Sequence, residues 1–331
     1  MEAKILRGDN LAPLIDGLIR DGEVIAPRDK FSYGPIDSPD QIVWGKGKPR
    51  QSLKGFFLPQ REVLFSYHLE DHGVEIENPA NDQRPRTILT RPCDAAALPI
   101  LDKVFAWDYQ DTSYFGRRRR STIVAFACEE PEETCFCVSV GGSPAGTDGS
   151  DLLLTHLGDV YHVQIVTEKG AALVERHAAL FEESTPEYDR RQVEAEEQAR
   201  AKVRSVDVQG LAEHLDYDSP VWENLTNQCL DCSICTFLCP TCHCFDIQDE
   251  GNPEYGERVR LWDSCASRDF TRTAVSQPRP THASRYRQRI MHKFKYYPEN
   301  FGRTLCVGCG RCTRYCPAGI DLVAILESLR R

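Results

Sequence analysis

The sequence contains no run approaching the ~20 apolar residues that a membrane-crossing helix needs, so no membrane span is expected. It has no excess of positive charge either. Forty Lys and Arg against 50 Asp and Glu leave a formal charge of -10, the opposite of the basic balance usual in nucleic-acid-binding domains. Nucleic acid is therefore not an expected partner. The start, Met1-Glu2-Ala3-Lys4-Ile5-Leu6-Arg7-Gly8, lacks the basic, continuously apolar character of a secretory signal, and the expected location is the cytoplasm. No G-x-x-x-x-G-K-[ST] loop is present and no G-x-G-x-x-G follows a strand, and Gly45-Lys46-Gly47 is too short to stand for either nucleotide fingerprint. The nine histidines are scattered, with no H-E-x-x-H and no G-x-S-x-G nucleophile elbow, so neither zinc-protease nor hydrolase chemistry is indicated.

What the sequence does contain is cysteine. Fifteen thiols in a chain expected in reducing cytosol are not a disulfide framework, and an odd number leaves one unpaired. Metal or redox chemistry is the better reading. Cys93, Cys128, Cys135 and Cys137 lie in the first half, and the other eleven fall between Cys229 and Cys316. The acidic, helix-favouring stretch from Glu182 to Arg204 separates the two groups and puts a domain boundary near 205 to 220. The chain length fits two domains, taken as 1–210 and 211–331.

The first domain alternates β-rich runs at 62–67, 87–89 and 122–127 with expected helices at 94–106 and 170–182, an α/β pattern. The second shows no alternating strand and carries helical patterns at 264–276, 281–294 and 321–330, the last capped by Asp321. An α-helical domain is expected there.

Two runs repeat the same spacing: Cys229-x2-Cys232-x2-Cys235-x3-Cys239-Pro240 and Cys306-x2-Cys309-x2-Cys312-x3-Cys316-Pro317. Both match the bacterial ferredoxin run, in which three closely spaced thiolates reach one 4Fe-4S cube and the distal Cys-Pro cysteine ligates the other cube. Carried over by motif, the ligand sets are Cys229, Cys232, Cys235 and Cys316 for a first cluster, and Cys306, Cys309, Cys312 and Cys239 for a second. Zinc is the alternative for sulfur-rich sites, but it usually takes paired C-x2-C knuckles. The insert of about 66 residues between the runs is much longer than in small ferredoxins, and its helical pattern fits an α-helical ferredoxin domain with two 4Fe-4S motifs.

Cys93 and Cys128 each follow a β-rich run. If the two strands neighbour each other in a parallel sheet, both thiols emerge at its C-terminal edge, where α/β sheets place ligands. Together with Cys135 and Cys137 they would supply a third 4Fe-4S cluster. The plainer alternative is a buried Cys93 with three loop cysteines. Cys242, Cys244 and Cys265 remain, and with His243 they could pack beside a cluster, relay redox change or line the core. Between Arg279 and Lys295 there are six Lys and Arg and no acid, with Arg285, Arg289 and Lys293 on one helix face. This is either a solvated basic face, or positive charge that shifts cluster potentials or docks an acidic partner.

Several words in the chain resemble one family: Arg91-Pro92-Cys93-Asp94-Ala95-Ala96-Ala97-Leu98, Cys128 through Cys135-Phe136-Cys137, Cys239-Pro240-Thr241-Cys242-His243-Cys244-Phe245-Asp246, Arg287-Gln288-Arg289-Ile290-Met291-His292-Lys293-Phe294, and Cys306-Val307-Gly308-Cys309-Gly310-Arg311-Cys312. They span about 90–325 and are similar to the β subunit of sulfhydrogenase-type NiFe hydrogenases and the related iron-sulfur subunit of anaerobic sulfite reductase. The resemblance implies an electron-wiring subunit of a hetero-oligomer. It would sit beside an FAD- and NAD(P)-binding reductase subunit and relay electrons to or from a catalytic redox subunit, hydrogenase or sulfite reductase. No catalytic residue is implied in this chain. Two rival readings are a thiol/disulfide reductase acting through Cys242, Cys244 or Cys265, and a redox sensor. Residues 1–80 carry no recognisable word.

Overall fold

A computed structural model of the protein describes residues 2–45, 47–70, 73–79 and 84–330, so Lys46 of the Gly45-Lys46-Gly47 run lies outside the described residues. In chain order the strands are β1 (Ala3–Arg7), β2 (Glu23–Pro27), β3 (Tyr33–Ile36), β4 (Arg61–Glu70), β5 (Gly73–Glu77), β6 (Arg86–Thr90), β7 (Ser121–Phe126), β8 (Leu152–His156), β9 (Val160–Ile165), β10 (Phe181–Glu183), β11 (Phe245–Gly251) and β12 (Tyr255–Trp262).

The larger sheet has the order β10-β1-β9-β8-β7-β6-β2-β3. Its centre, β2, β6, β7 and β8, is parallel, and antiparallel strands flank it on both sides. Successive residues serve opposite faces of the sheet, and both faces are apolar. Leu89, Val124, Leu152 and Leu154 enter one core with the helix Leu11–Asp21, while Ile88, Ile123, Ala125 and Leu153 enter the other with the helix Ala97–Phe105. Burial on both sides accounts for the continuous apolar runs of the parallel strands. The expected helix at 94–106 is present as Pro92–Ala95 and Ala97–Phe105. The one expected at 170–182 ends at Arg176, because Phe181–Glu183 pairs with β1 at the sheet edge instead.

A third core gathers Trp222, Tyr286, Ile290, Phe294, Leu322 and Leu326 around Phe136 of the N-terminal half. It holds the helices His282–Met291 and Leu322–Ser328, the latter capped by Asp321, which accepts from Val323 N at 3.0 Å. These agree with the expected helices at 281–294 and 321–330. The C-terminal part departs from the all-helical expectation in two places. Residues 264–276 form turns with no helix, and β11 and β12 form a hairpin. β12 pairs with β4, completing a four-stranded antiparallel sheet in the order β11-β12-β4-β5. The seam is fixed by Arg260, 3% exposed, whose Nε donates to Glu62 at 3.0 Å. The chain on either side of 210 is thus interlaced rather than merely adjacent.

Candidate iron-sulfur centre

The two cysteine runs adopt the same backbone. In the first, Asp231 and Ser233 have φ of 52° and 60°, and at the equivalent positions of the second Gly308 and Gly310 have φ of 61° and 72°. Each loop turns twice through the left-handed region and then enters a short helix, Ile234–Phe237 or Arg311–Arg314, that carries the third cysteine. Such a conformation favours glycine, and in the second loop the surroundings demand it. A Cβ on Gly308 would lie 2.5 Å from Cys137 Cα, and one on Gly310 would lie 2.3 Å from Thr134 O. The Cys135-Phe136-Cys137 segment packs directly on this loop, with Phe136 N donating to Gly308 O at 2.8 Å.

Three sets of thiols converge. Cys229, Cys232, Cys235 and Cys316 line one pocket, with Cys312 at its wall. Burial pushes Cys306 up to about 12, with Cys239 and Cys312 as thiol neighbours, and pushes Cys309 up to about 11, with Cys239 again beside it. Cys239 thus has both Cys306 and Cys309 as neighbours, and Cys312 lies near Cys306. Cys93, Cys128, Cys135 and Cys137 line a third pocket, with Cys309 at its wall. β6 and β7 are parallel neighbours in register, Leu89 against Val124, so Cys93 and Cys128 do leave the same sheet edge. Eight of the expected ligand residues thus line two pockets, four to each, while Cys306, Cys309 and Cys312 line the walls of these and a neighbouring pocket. Of the second run, Cys312 adjoins the first pocket and Cys309 the one lined by Cys93, Cys128, Cys135 and Cys137.

The surroundings fit an anionic group at each set. Lys293, 2% exposed, donates to Cys239 Sγ at 3.2 Å, Thr241 Oγ1 at 3.2 Å and Leu305 O at 2.8 Å, with no carboxylate among these partners. Burial opposes its charge, yet the neighbouring thiolates raise its pKa. Lys48 donates to Cys135 Sγ at 3.3 Å and Glu132 at 2.6 Å. Arg289, 2% exposed, leaves Nε and Nη2 without a partner and faces Cys235 and Cys312. A buried cation is expensive unless paired, and each set has one. Among the described residues no three His, Cys, Asp or Glu side chains are grouped to hold a single metal ion.

The basic face expected on the helix around 285–293 is real but not solvated: Arg285, Arg289 and Lys293 are 2–3% exposed. Arg285 pairs with Asp231 of the first cysteine loop and donates to Pro280 O at 2.9 Å. These three residues therefore do not form a docking surface for an acidic partner.

Sequence reasoning missed several residues. Arg311, within the second run, makes a doubly bonded pair with Asp94 at 2.7 and 2.8 Å, both residues being 1% exposed, and also donates to Pro49 O. This clamps the Cys93 turn to the second loop. The words Arg-Pro-Cys-Asp and Gly-Arg-Cys contained the signal, a charge of each sign beside a ligand cysteine. Lys48 and Lys54, from the first 80 residues, gave none. Lys54 Nζ donates to Thr236 O and Cys242 O, each at 3.0 Å, and sits 4.2 Å over the Trp262 ring.

Residues 228–320 match the 4Fe-4S dicluster domain family. Over 307 residues, 91% of this chain and 89% of the relative, the sequence is 33% identical to the sulfhydrogenase 2 subunit beta of Pyrococcus furiosus.

Proposed function

The chain belongs to the sulfhydrogenase β-subunit family, an iron-sulfur electron-transfer subunit of an oxidoreductase, and from that premise we propose that it wires a multi-subunit complex through three 4Fe-4S clusters in a row. The proposed ligands are Cys229, Cys232, Cys235 and Cys316; Cys306, Cys309, Cys312 and Cys239; and Cys93, Cys128, Cys135 and Cys137. The observation that carries the reading is the set of three adjoining thiol groups, each beside one buried cation. When bound, the clusters supply one-electron redox chemistry, with potentials set by charge, hydrogen bonds to sulfur and exposure.

The chain's own residues do the rest. The clamp between Arg311 and Asp94 and the two crowded glycines fix the distance between the second and third sets. Lys293, Lys48 and Arg289 stabilise negative charge at their sites and so favour the reduced state. At one end of the row Cys232 is exposed and Leu230 is 65% exposed, which gives a neighbouring subunit close access to the first set. At the other end a cavity lined by Trp44, Lys48, Arg91 and Arg314 opens beside the third set. The two ends are assigned to an FAD- and NAD(P)-binding reductase subunit and a catalytic redox subunit, NiFe hydrogenase or sulfite reductase, in cytoplasm. No helix among the described residues is long and apolar enough to cross a membrane.

The test is a double variant, Cys128→Ser with Cys135→Ser, reconstituted without oxygen. Iron is expected to fall by about four per chain, one cube, while the reduced-state paramagnetic signals of the other two clusters persist. Unchanged iron in a folded variant would contradict the third cluster.

A further inference from the structure

Three cysteines stand outside the three sets. Cys244 immediately precedes β11 and Cys265 follows β12 by three residues, and the pairing of Phe245 with Trp262 brings the two ends of the hairpin side by side. The ladder continues one step further, with Asp263 N donating to Cys244 O at 3.0 Å. The chain then turns at Ser264, a fully buried residue whose hydroxyl is 2.7 Å from Thr236 Oγ1 and accepts from Ala266 N at 3.1 Å. That turn returns Cys265 to the hairpin base, where it lies beside the Cys244 thiol. Cys242, on the other side, lies beside the proposed cluster ligand Cys239. Lys54, 4% exposed, is held against Cys242 O beneath the group.

We propose that Cys244 and Cys265 are a redox-active dithiol, a two-electron store built beside the second cluster site. The group is not a fourth cube: it offers three thiols where four are needed. Nor is it a single-ion site, since no three such ligands among the described residues are grouped to hold one. Cys244 and Cys265 are neighbours at the hairpin base, held by the paired hairpin on one side and a buried turn on the other. The Cys244 thiol is lowered to about 7, first by the hydrogen bond from Cys265, with Lys54 adding to the effect. It is also the one member of the three that is partly exposed, which gives protons a way in.

In the oxidised form an S–S bond joins the two Sγ atoms. Two electrons and two protons break that bond and leave two thiols. The reductant is a low-potential one-electron carrier acting twice, of the class of the reduced iron-sulfur centre proposed at Cys239. In that respect the inference rests on the function proposed above.

The test is differential alkylation and peptide mapping of the cluster-loaded full chain, poised in oxidising and then reducing thiol buffers without oxygen, with iron counted in each sample. The expected result is a Cys244–Cys265 link under oxidising poise, its loss under reducing poise, and the same iron in both. Cys244→Ser and Cys265→Ser are each expected to abolish the link with iron unchanged. Free thiols at every poise, or a link that instead joins Cys242, would overturn the dithiol. A loss of iron in both serine variants would overturn it too, by making these residues ligands. The mapping of the unaltered chain stands even where a variant fails to fold. A link found in a chain that holds no iron would support the dithiol while removing the cluster reading, so the two failures are distinguishable.

Discussion

The two cysteine loops share spacing and backbone but differ in what surrounds them. In the first, Leu230 is 65% exposed, Cys232 is exposed, and Asp231 and Ser233 occupy the left-handed positions. In the second, Val307 is 6% exposed, Cys309 is 8% exposed, and glycine fills both left-handed positions. A side chain at a left-handed position costs roughly 1–2 kcal/mol, a cost the first loop tolerates because Asp231 gains Arg285 as an ion-pair partner. The second loop has no room for the trade, since the N-terminal cysteine segment packs on its backbone. One loop lies open to solvent, and the other is packed against the N-terminal half of the chain.

The largest effect is expected at the clamp of that junction. Arg311→Met leaves Asp94 charged and buried with its partner gone, and should destabilise the protein by about 3–5 kcal/mol, the usual cost of breaking a buried pair from one side. Denaturant unfolding of the cluster-loaded protein measures it, and a loss below about 1 kcal/mol would show that the clamp does not hold the two parts together. Gly308→Ala comes next. Left-handed strain and the collision with Cys137 should together cost about 2–4 kcal/mol, and the third cluster should be lost first, as seen by iron count.

Lys293→Met should lower the potential of the second cluster by on the order of 60–120 mV, the equivalent of one to two tenfold steps for a single electron. Lys293→Arg should restore most of it. A redox titration followed by electron paramagnetic resonance measures both, and an unchanged potential would mean that the ammonium on Cys239 does not act on the cluster. The smallest effect is Ser233→Gly, which relieves the first loop and should stabilise it by up to about 1 kcal/mol. Destabilisation by Ser233→Gly, or tolerance of Gly310→Ala, would break the contrast between the loops.

The dicluster motif was legible in the sequence because cysteine spacing is a local property, and the shared sheet edge of Cys93 and Cys128 because consecutive β-rich runs of an α/β pattern suggest parallel neighbours. The β11–β12 hairpin was not. β11 lies on an outer sheet where Asp246 through Gly251 are all exposed, so its apolar alternation stops after Phe245 and Ile247, and the hairpin's strand partner β4 lies about 190 residues earlier. The helical spacing of Arg285, Arg289 and Lys293 identified a shared face without saying which way it points, since a buried cation is signalled only by anions that come from elsewhere in the chain. Lys48 and Lys54 show the same limit: nothing near them in sequence marks them as partners of Cys135 and Cys242.

The central claim is three cubes in one chain. Iron and acid-labile sulfide counted per chain on protein purified without oxygen, with electron paramagnetic resonance of the reduced state, test it most directly. The account predicts about 12 irons, at four per cube. A count of about 8 would confine the clusters to the two ferredoxin runs, and zinc with little iron would contradict electron transfer by this chain altogether.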